Sequence, residues 1–342
     1  MTQTNAQSEA AGRSAADWNK ALLRYRRPSH LRSAVELIVT AVPFLLFWAG
    51  ALVLAASGHW WGLLLTLPAA AFLVRLFMIQ HDCGHGSLFR YRPVNDWIGR
   101  VIGVLTLTPY DYWRRTHAVH HAGAGNLDRR GMGDLVTLTV DEYRELPAWR
   151  RLGYRLYRNP VFLFGLGPGI TFLLKHRLPM GLMRNGARPW ISTMATNAAI
   201  AAVAAGLILA VGIGPFLLVQ LPIVLIAGTA GVWLFYVQHQ FEDTYWEAGE
   251  DWKFEDGALH GSSHYDLPAV LRWFTANIGI HHVHHLASRV PFYRLGRILK
   301  DFPELGEQGR VTLMQSFRTV RLALWDDRRR RLVSFREATS LA

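Results

Sequence analysis

Residues 60–85 read WWGLLLTLPAAAFLVRLFMIQHDCGH, and this run carries both features that decide the fold. Residues 60–80 stay apolar for the ~20 residues a helix needs to cross a bilayer. They lead directly into His81-Asp82-Cys83-Gly84-His85, two imidazoles at i and i+4. Working outward, residues 33–56, 191–211 and 216–238 have the same length and character. Ser57-Gly58-His59 and Gly212-Ile213-Gly214-Pro215 join them in pairs, so the reading is four transmembrane helices in two hairpins. These blocks explain the 51% hydrophobic content and the mean hydropathy of +0.11 better than one large soluble core would. Thirteen Trp and eleven Tyr suit belts at the membrane interface.

The net charge of +12, with a pI near 10.2, fits nucleic acid, an anionic membrane face or an acidic partner. Its placement favours the membrane. Residues 1–33 hold 6 Lys/Arg, 81–190 hold 16 and 239–342 hold 14, while the short connections hold none. The positive-inside rule therefore puts all three basic regions and both termini in the cytoplasm. Arg75 alone lies within a span and is expected to snorkel to the interface. Cys83 is the only cysteine, which excludes an internal disulfide; it is read as packing within its box. Residues 1–30 lack an apolar core and read as a tail, not a signal peptide. Residues 161–174 and 97–108 read as interfacial or re-entrant pieces, and the Arg328–Arg331 run as a solvated or headgroup-facing cluster.

Nine of the fifteen histidines fall in three clusters: His81/His85, His117-Ala118-Val119-His120-His121 and His281-His282-Val283-His284-His285. On a helix, i, i+3 and i+4 share an arc of ~100°, so His117, His120 and His121 are expected to converge on one point, as are His281, His284 and His285. So many neutral imidazoles packed together imply cations, since each needs a partner for its second nitrogen. Their number exceeds the needs of one tetrahedral zinc and no thiolate cluster is present, so two irons with open positions fit best, although imidazole also suits copper and zinc. Eight patterned histidines are an uneven set for two ions, and His239, at the end of the fourth span, offers a ninth. His282 lies off the arc of its box and is expected to make a structural hydrogen bond.

The boxes HDCGH, HAVHH and HHVHH, their spacing and the paired hairpins resemble the membrane fatty acid desaturases of the bacterial acyl-lipid type. The likeness extends through NLDRRGMGDLVTLTVDEY (126–143), RLYRNPVFLFGLGP (155–168), QHQFEDTYW (238–246) and NIGIHHVHHLASRVPFYRL (277–295). His282 is an addition within the third box. His239 resembles the family's extra histidine outside the boxes. The resemblance implies an all-α integral membrane fold whose cytoplasmic helical cap carries a di-iron site. Residues 1–32 would be a polar tail, 33–300 the membrane domain and 301–342 a basic cytoplasmic tail. It further implies all-nitrogen ligation, O₂ as co-substrate, and a cis double bond placed in a phospholipid acyl chain at the bacterial inner membrane. Asp82 and Asn277, the latter four residues before His281, would orient imidazoles. Electrons must come from outside, because the chain has no HPGG-like haem module, no CxxC and no credible GxGxxG, with Gly165-Leu166-Gly167 read as a bend. A small acidic carrier such as ferredoxin suits the basic face. A membrane di-iron hydroxylase or ketolase shares these boxes. A zinc hydrolase or metal-stabilised receptor would need fewer ligands.

Overall fold

The computed structural model describes residues 15–340; residues 1–14 of the expected N-terminal tail lie outside the described residues. Four helices are long and apolar enough to cross a membrane: His30–Ala56, Trp60–His85, Ala187–Val211 and Ile213–His239. Each outruns the apolar stretch that announced it, because a helix does not stop where hydropathy does. At the start of the first, Ser29 accepts a hydrogen bond from Arg32 N–H, the usual service of a cap residue. At the end of the second, polar His81–His85 continue the same helix, and termination waits for Gly86. That glycine takes a left-handed φ of 68°, and the Ser87 N–H closes the turn on the Asp82 carbonyl at 3.0 Å. The first imidazole pair is thereby fixed to the last turn of a rigid span.

Arg75 does not snorkel. It is 2% exposed, donates through Nε to Thr40 Oγ1 at 3.1 Å and through Nη2 to Glu36 Oε2 at 2.5 Å, and also reaches the Trp273 carbonyl. Its guanidinium sits 3.9 Å from the Trp273 ring centroid. A carboxylate on the facing helix holds the charge that would otherwise have to find water. Nothing in the local sequence pairs residue 75 with residue 36.

Between the second and third spans lie the helices Arg92–Leu105 and Tyr110–Gly123, then Val140–Glu145 and Ala148–Tyr157. The first pair pack closely because Gly99 and Gly103 leave no Cβ in the way: one added at Gly99 would fall 2.2 Å from the Tyr110 ring. Residues 162–174, including Gly165-Leu166-Gly167, are helical, with π-helical turns in place of the expected bend. They lie along the fourth span, where Thr229 Oγ1 donates to the Phe164 carbonyl at 2.7 Å.

Residues 301–340 are not a tail. They add strands β3 (Arg310–Thr312), β4 (Leu322–Asp326) and β5 (Arg331–Ser334) to two small sheets, so the expected all-α description gains short strands. β4 pairs antiparallel with β5 and parallel with β1 (Leu138–Thr139), in register Leu138 to Leu324; β3 pairs parallel with β2 (His264–Asp266). Leu324, Trp325, Leu332 and Val333 are at most 1% exposed. The arginines hid this pattern: Arg328–Arg331 run consecutively between the two buried strand cores, and Arg330 and Arg331 are paired with Glu247 and Glu242. Tyr25 likewise bonds Asp301, and the Trp18 ring meets Phe302 edge-on at 5.3 Å, so residues 18–25 dock on the body.

Candidate metal centre

Two close approaches set the first box. A Cβ on Gly84 would lie 2.9 Å from the Trp113 ring, which stacks on His117 with centroids 4.6 Å apart. The glycine in HDCGH is thus what lets the Tyr110–Gly123 helix slide against the second span. His117, His120 and His121 ride on that helix, His281, His284 and His285 on the six-residue helix His281–Leu286, and His239 on the last residue of the fourth span.

These side chains form two groups. His81, His85, His117, His121 and His284 offer nitrogens within 4.8 Å of one another, and so do His120, His239, His281 and His285. Neither HxxHH box converges on a single point, as the arc argument expected. Viewed down a helix, i+4 lies about 40° to one side of i and i+3 about 60° to the other. Each box therefore straddles two centres: His117 and His121 serve one and His120 the other, while His281 and His285 serve the second and His284 the first. The groups share a wall, since His121 and His285 stack at 4.0 Å with planes 12° apart.

The nitrogens face each other in a way that protons alone do not satisfy. His117 Nε2 is 3.1 Å from both His85 Nε2 and His121 Nε2, and His281 Nε2 is 3.0 Å from His239 Nε2 and 3.1 Å from His285 Nε2. Both ring nitrogens of His81, and His120 Nε2, are buried without a hydrogen-bond partner. Burial, reinforced by neighbouring imidazoles, holds His117, His121, His281, His284 and His285 far below the usual histidine range. Neutral rings with inward lone pairs are the donor set a divalent transition metal takes, so the residues fit a cation in each group.

The surroundings differ from expectation in three places. Asp82 stands 3.7 Å from His81 Nδ1, too far to orient it by a hydrogen bond, and accepts instead from Phe292 N–H at 2.8 Å. Asn277 is not on the His281 helix; its φ of 55° belongs to a turn, and its Nδ2 donates to the Phe292 carbonyl at 3.3 Å. Both residues thus clamp the peptide that follows the third box. The carboxylate that does bond a box imidazole is Asp134, on His120 Nδ1. Sequence reasoning passed over it; its only signal was an acid after Gly131 and Gly133, just beyond the second box. His239 Nδ1 donates to the Gly261 carbonyl at 3.1 Å, and His282 Nε2 to the Leu305 carbonyl at 2.7 Å, away from both groups.

The chain is similar to known proteins over most of its length. The family described as Fatty acid desaturase matches residues 58–316. A "Fatty acid desaturase" of Bacillus subtilis is 44% identical over 317 residues, 93% of this chain and 90% of that protein. An "sn-1 acyl-lipid omega-3 desaturase (ferredoxin)" of Synechocystis sp. is 29% identical over 69% of this chain and 66% of its own length. An "sn-1 oleoyl-lipid 12-desaturase" of the same organism is 28% identical over 65% of this chain and 63% of its own length.

Proposed function

The chain belongs to the fatty acid desaturase family and is an oxidoreductase, and from that premise we propose that it places a cis double bond in a lipid-linked fatty acyl chain, using O₂ and two electrons at a pair of non-haem irons. The observation that carries the reading is the gathering of nine imidazoles into two cation-ready groups at the ends of apolar helices. His81, His85, His117, His121 and His284 would hold one iron and His120, His239, His281 and His285 the other. When bound, such a pair supplies the oxidising power needed to take hydrogen from adjacent unactivated methylenes. Overall, O₂, two electrons and two protons enter with the saturated chain, and the alkene and two waters leave.

The chain's own residues bind and shield. Burial holds His117 and His284 neutral, so they remain donors at neutral pH. Phe235 packs 5.2 Å from both His120 and His239, and Phe77 backs Trp113 at 5.5 Å, so aromatic rings wall the centre off from water. The half-buried edges of His85 and His117 leave one side of the first group accessible. A ferredoxin is the reading for the electron donor, supported by the ferredoxin in the name of the Synechocystis relative and by the net positive charge. We infer from the gathering of Lys and Arg outside the apolar helices and their short connections that the boxes and both termini face the cytoplasm at the inner membrane. Cys83 is fully buried, so cysteines introduced at Gly58, Gly214 and Ser340 can be labelled against a quiet background. External labelling is expected at the first two and not at the third.

The deciding experiment is expression in a host without desaturases, followed by fatty-acid profiling of the phospholipids. A new cis-unsaturated acyl chain is expected. A hydroxylated chain with no alkene would instead assign the related hydroxylase chemistry.

A further inference from the structure

His120 is the one imidazole of the two groups that hydrogen-bonds a carboxylate among the described residues. Its Nδ1 meets Asp134 Oδ1, while its other nitrogen, Nε2, is buried without a partner and belongs to the four-imidazole group. The two ends of the ring are therefore fixed by different things, the outer by an anion and the inner by whatever the group holds.

The loop around Asp134 is built to deliver it. Gly131 and Gly133 have φ of 110° and 80°. A Cβ on Gly133 would lie 2.8 Å from the Thr116 carbonyl and 3.2 Å from His120 Cβ, so only glycine lets this backbone press against the second-box helix. Arg130 then closes the loop, donating to the Thr137 carbonyl at 2.6 Å and to Glu142 at 2.6 and 2.8 Å. No arginine or lysine pairs with Asp134 among the described residues, and its side chain is 11% exposed. Its charge is thus directed at the imidazole and little else.

We propose that Asp134 is a positioning residue for the four-imidazole group: by accepting the His120 Nδ1 proton it fixes the tautomer that leaves Nε2 as the ligand, and it makes this group the more strongly donating of the two. The inference rests on the metal reading above. A carboxylate on the far nitrogen of a ligating histidine sets ring orientation and raises ligand basicity, and its loss typically costs about 10–100-fold in metal affinity. The five-imidazole group has no equivalent: His81 stands 3.7 Å from Asp82. Five imidazoles against four already make the two sites unlike, and Asp134 adds to that difference on the four-imidazole side.

The test uses the purified, iron-loaded full chain, with ⁵⁷Fe Mössbauer spectra of the reduced protein and competition by a ferrous chelator. The wild-type protein is expected to hold two irons with two distinct ferrous signals. Asp134→Asn, close in shape, is expected to release one iron about 10–100-fold more readily and to shift that signal alone. Asp134→Glu should recover part of the difference. Two unchanged irons in Asp134→Asn, or joint loss of both irons with a lowered melting temperature, overturns the proposal. If Asp134→Asn does not fold, Asp134→Glu must still perturb one signal selectively, and two unaltered signals there overturn it. A wild-type chain that binds no iron pair fails the metal reading itself and removes this proposal with it.

Discussion

The five-imidazole group draws all its nitrogens from the three boxes and is open along His85 and His117; the four-imidazole group is buried throughout and needs His239, from outside the boxes. One is a product of local spacing, since i and i+4 pairs on the second span and on the Tyr110–Gly123 helix supply four of its five members. The other is a product of tertiary assembly, combining single residues and pairs from three segments with a carbonyl at Gly261 and a carboxylate at Asp134. The difference teaches how the HxxHH pattern works: its middle histidine does not reinforce the first and last but reaches across to a second site. Two adjacent centres with a shared wall are thus encoded in a motif that reads like one.

The largest expected effect falls on the buried group. His239→Ala should abolish desaturation and leave about half the iron, because only three imidazoles would remain there; full iron and full activity in this variant would reduce the centre to the boxes alone. Acidification comes next. His117, His121, His281, His284 and His285 have folded pKa values well below the ordinary ~6.5. The unfolded chain therefore binds more protons as pH falls below ~6.5, and each such group removes up to about 1.4 kcal/mol of stability per pH unit. Above that range both states are neutral and these groups add no pH dependence. Iron release and thermal unfolding should accordingly rise from pH 7 to pH 5, the open group releasing first because its His85 and His117 are only half-buried; a flat profile would show that the depressed proton affinities are wrong.

A subtler variant separates the two groups. Gly84→Ala puts a methyl 2.9 Å from the Trp113 ring and should cost about 1–3 kcal/mol by overpacking. Because Trp113 stacks on His117, iron should be lost from the open group and retained in the buried one; equal loss from both would mean that they do not behave as separate units. The smallest effect on iron and activity is predicted for His282→Ala, which removes no ligand, although losing a fully buried imidazole and its bond to Leu305 should cost stability of about 2–4 kcal/mol. Measurable desaturation and two irons are expected, checked by lipid profiling and metal analysis.

The spans and boxes were legible because both obey local rules: apolar length for the helices, and spacing for His81/His85 and the two HxxHH runs. His239 was legible by place, at the end of a span beside an uneven count. Which imidazoles share a centre was not legible, since it depends on how three helices face one another. Asp82 and Asn277 were sound as polar residues near a box, but both turned to the Phe292 peptide once residues 276 and 277 adopted left-handed conformations. Asp134 was hidden because a loop, not a helix face, brings it to His120. The strands of residues 310–334 were masked by arginines whose partners, Glu242 and Glu247, are more than 80 residues away.

The Glu36–Arg75 pair has a consequence for how the protein is made. A lone arginine at the centre of an entering helix opposes insertion by about 2.5–3.5 kcal/mol, and an isolated acidic residue acts in the same direction. Each helix of the first pair carries one half of that burden, and the Ser57-Gly58-His59 connection is too short to let them move apart. Entering the lipid as a pair, with the two charges already matched across the helix interface, would spare both helices that cost.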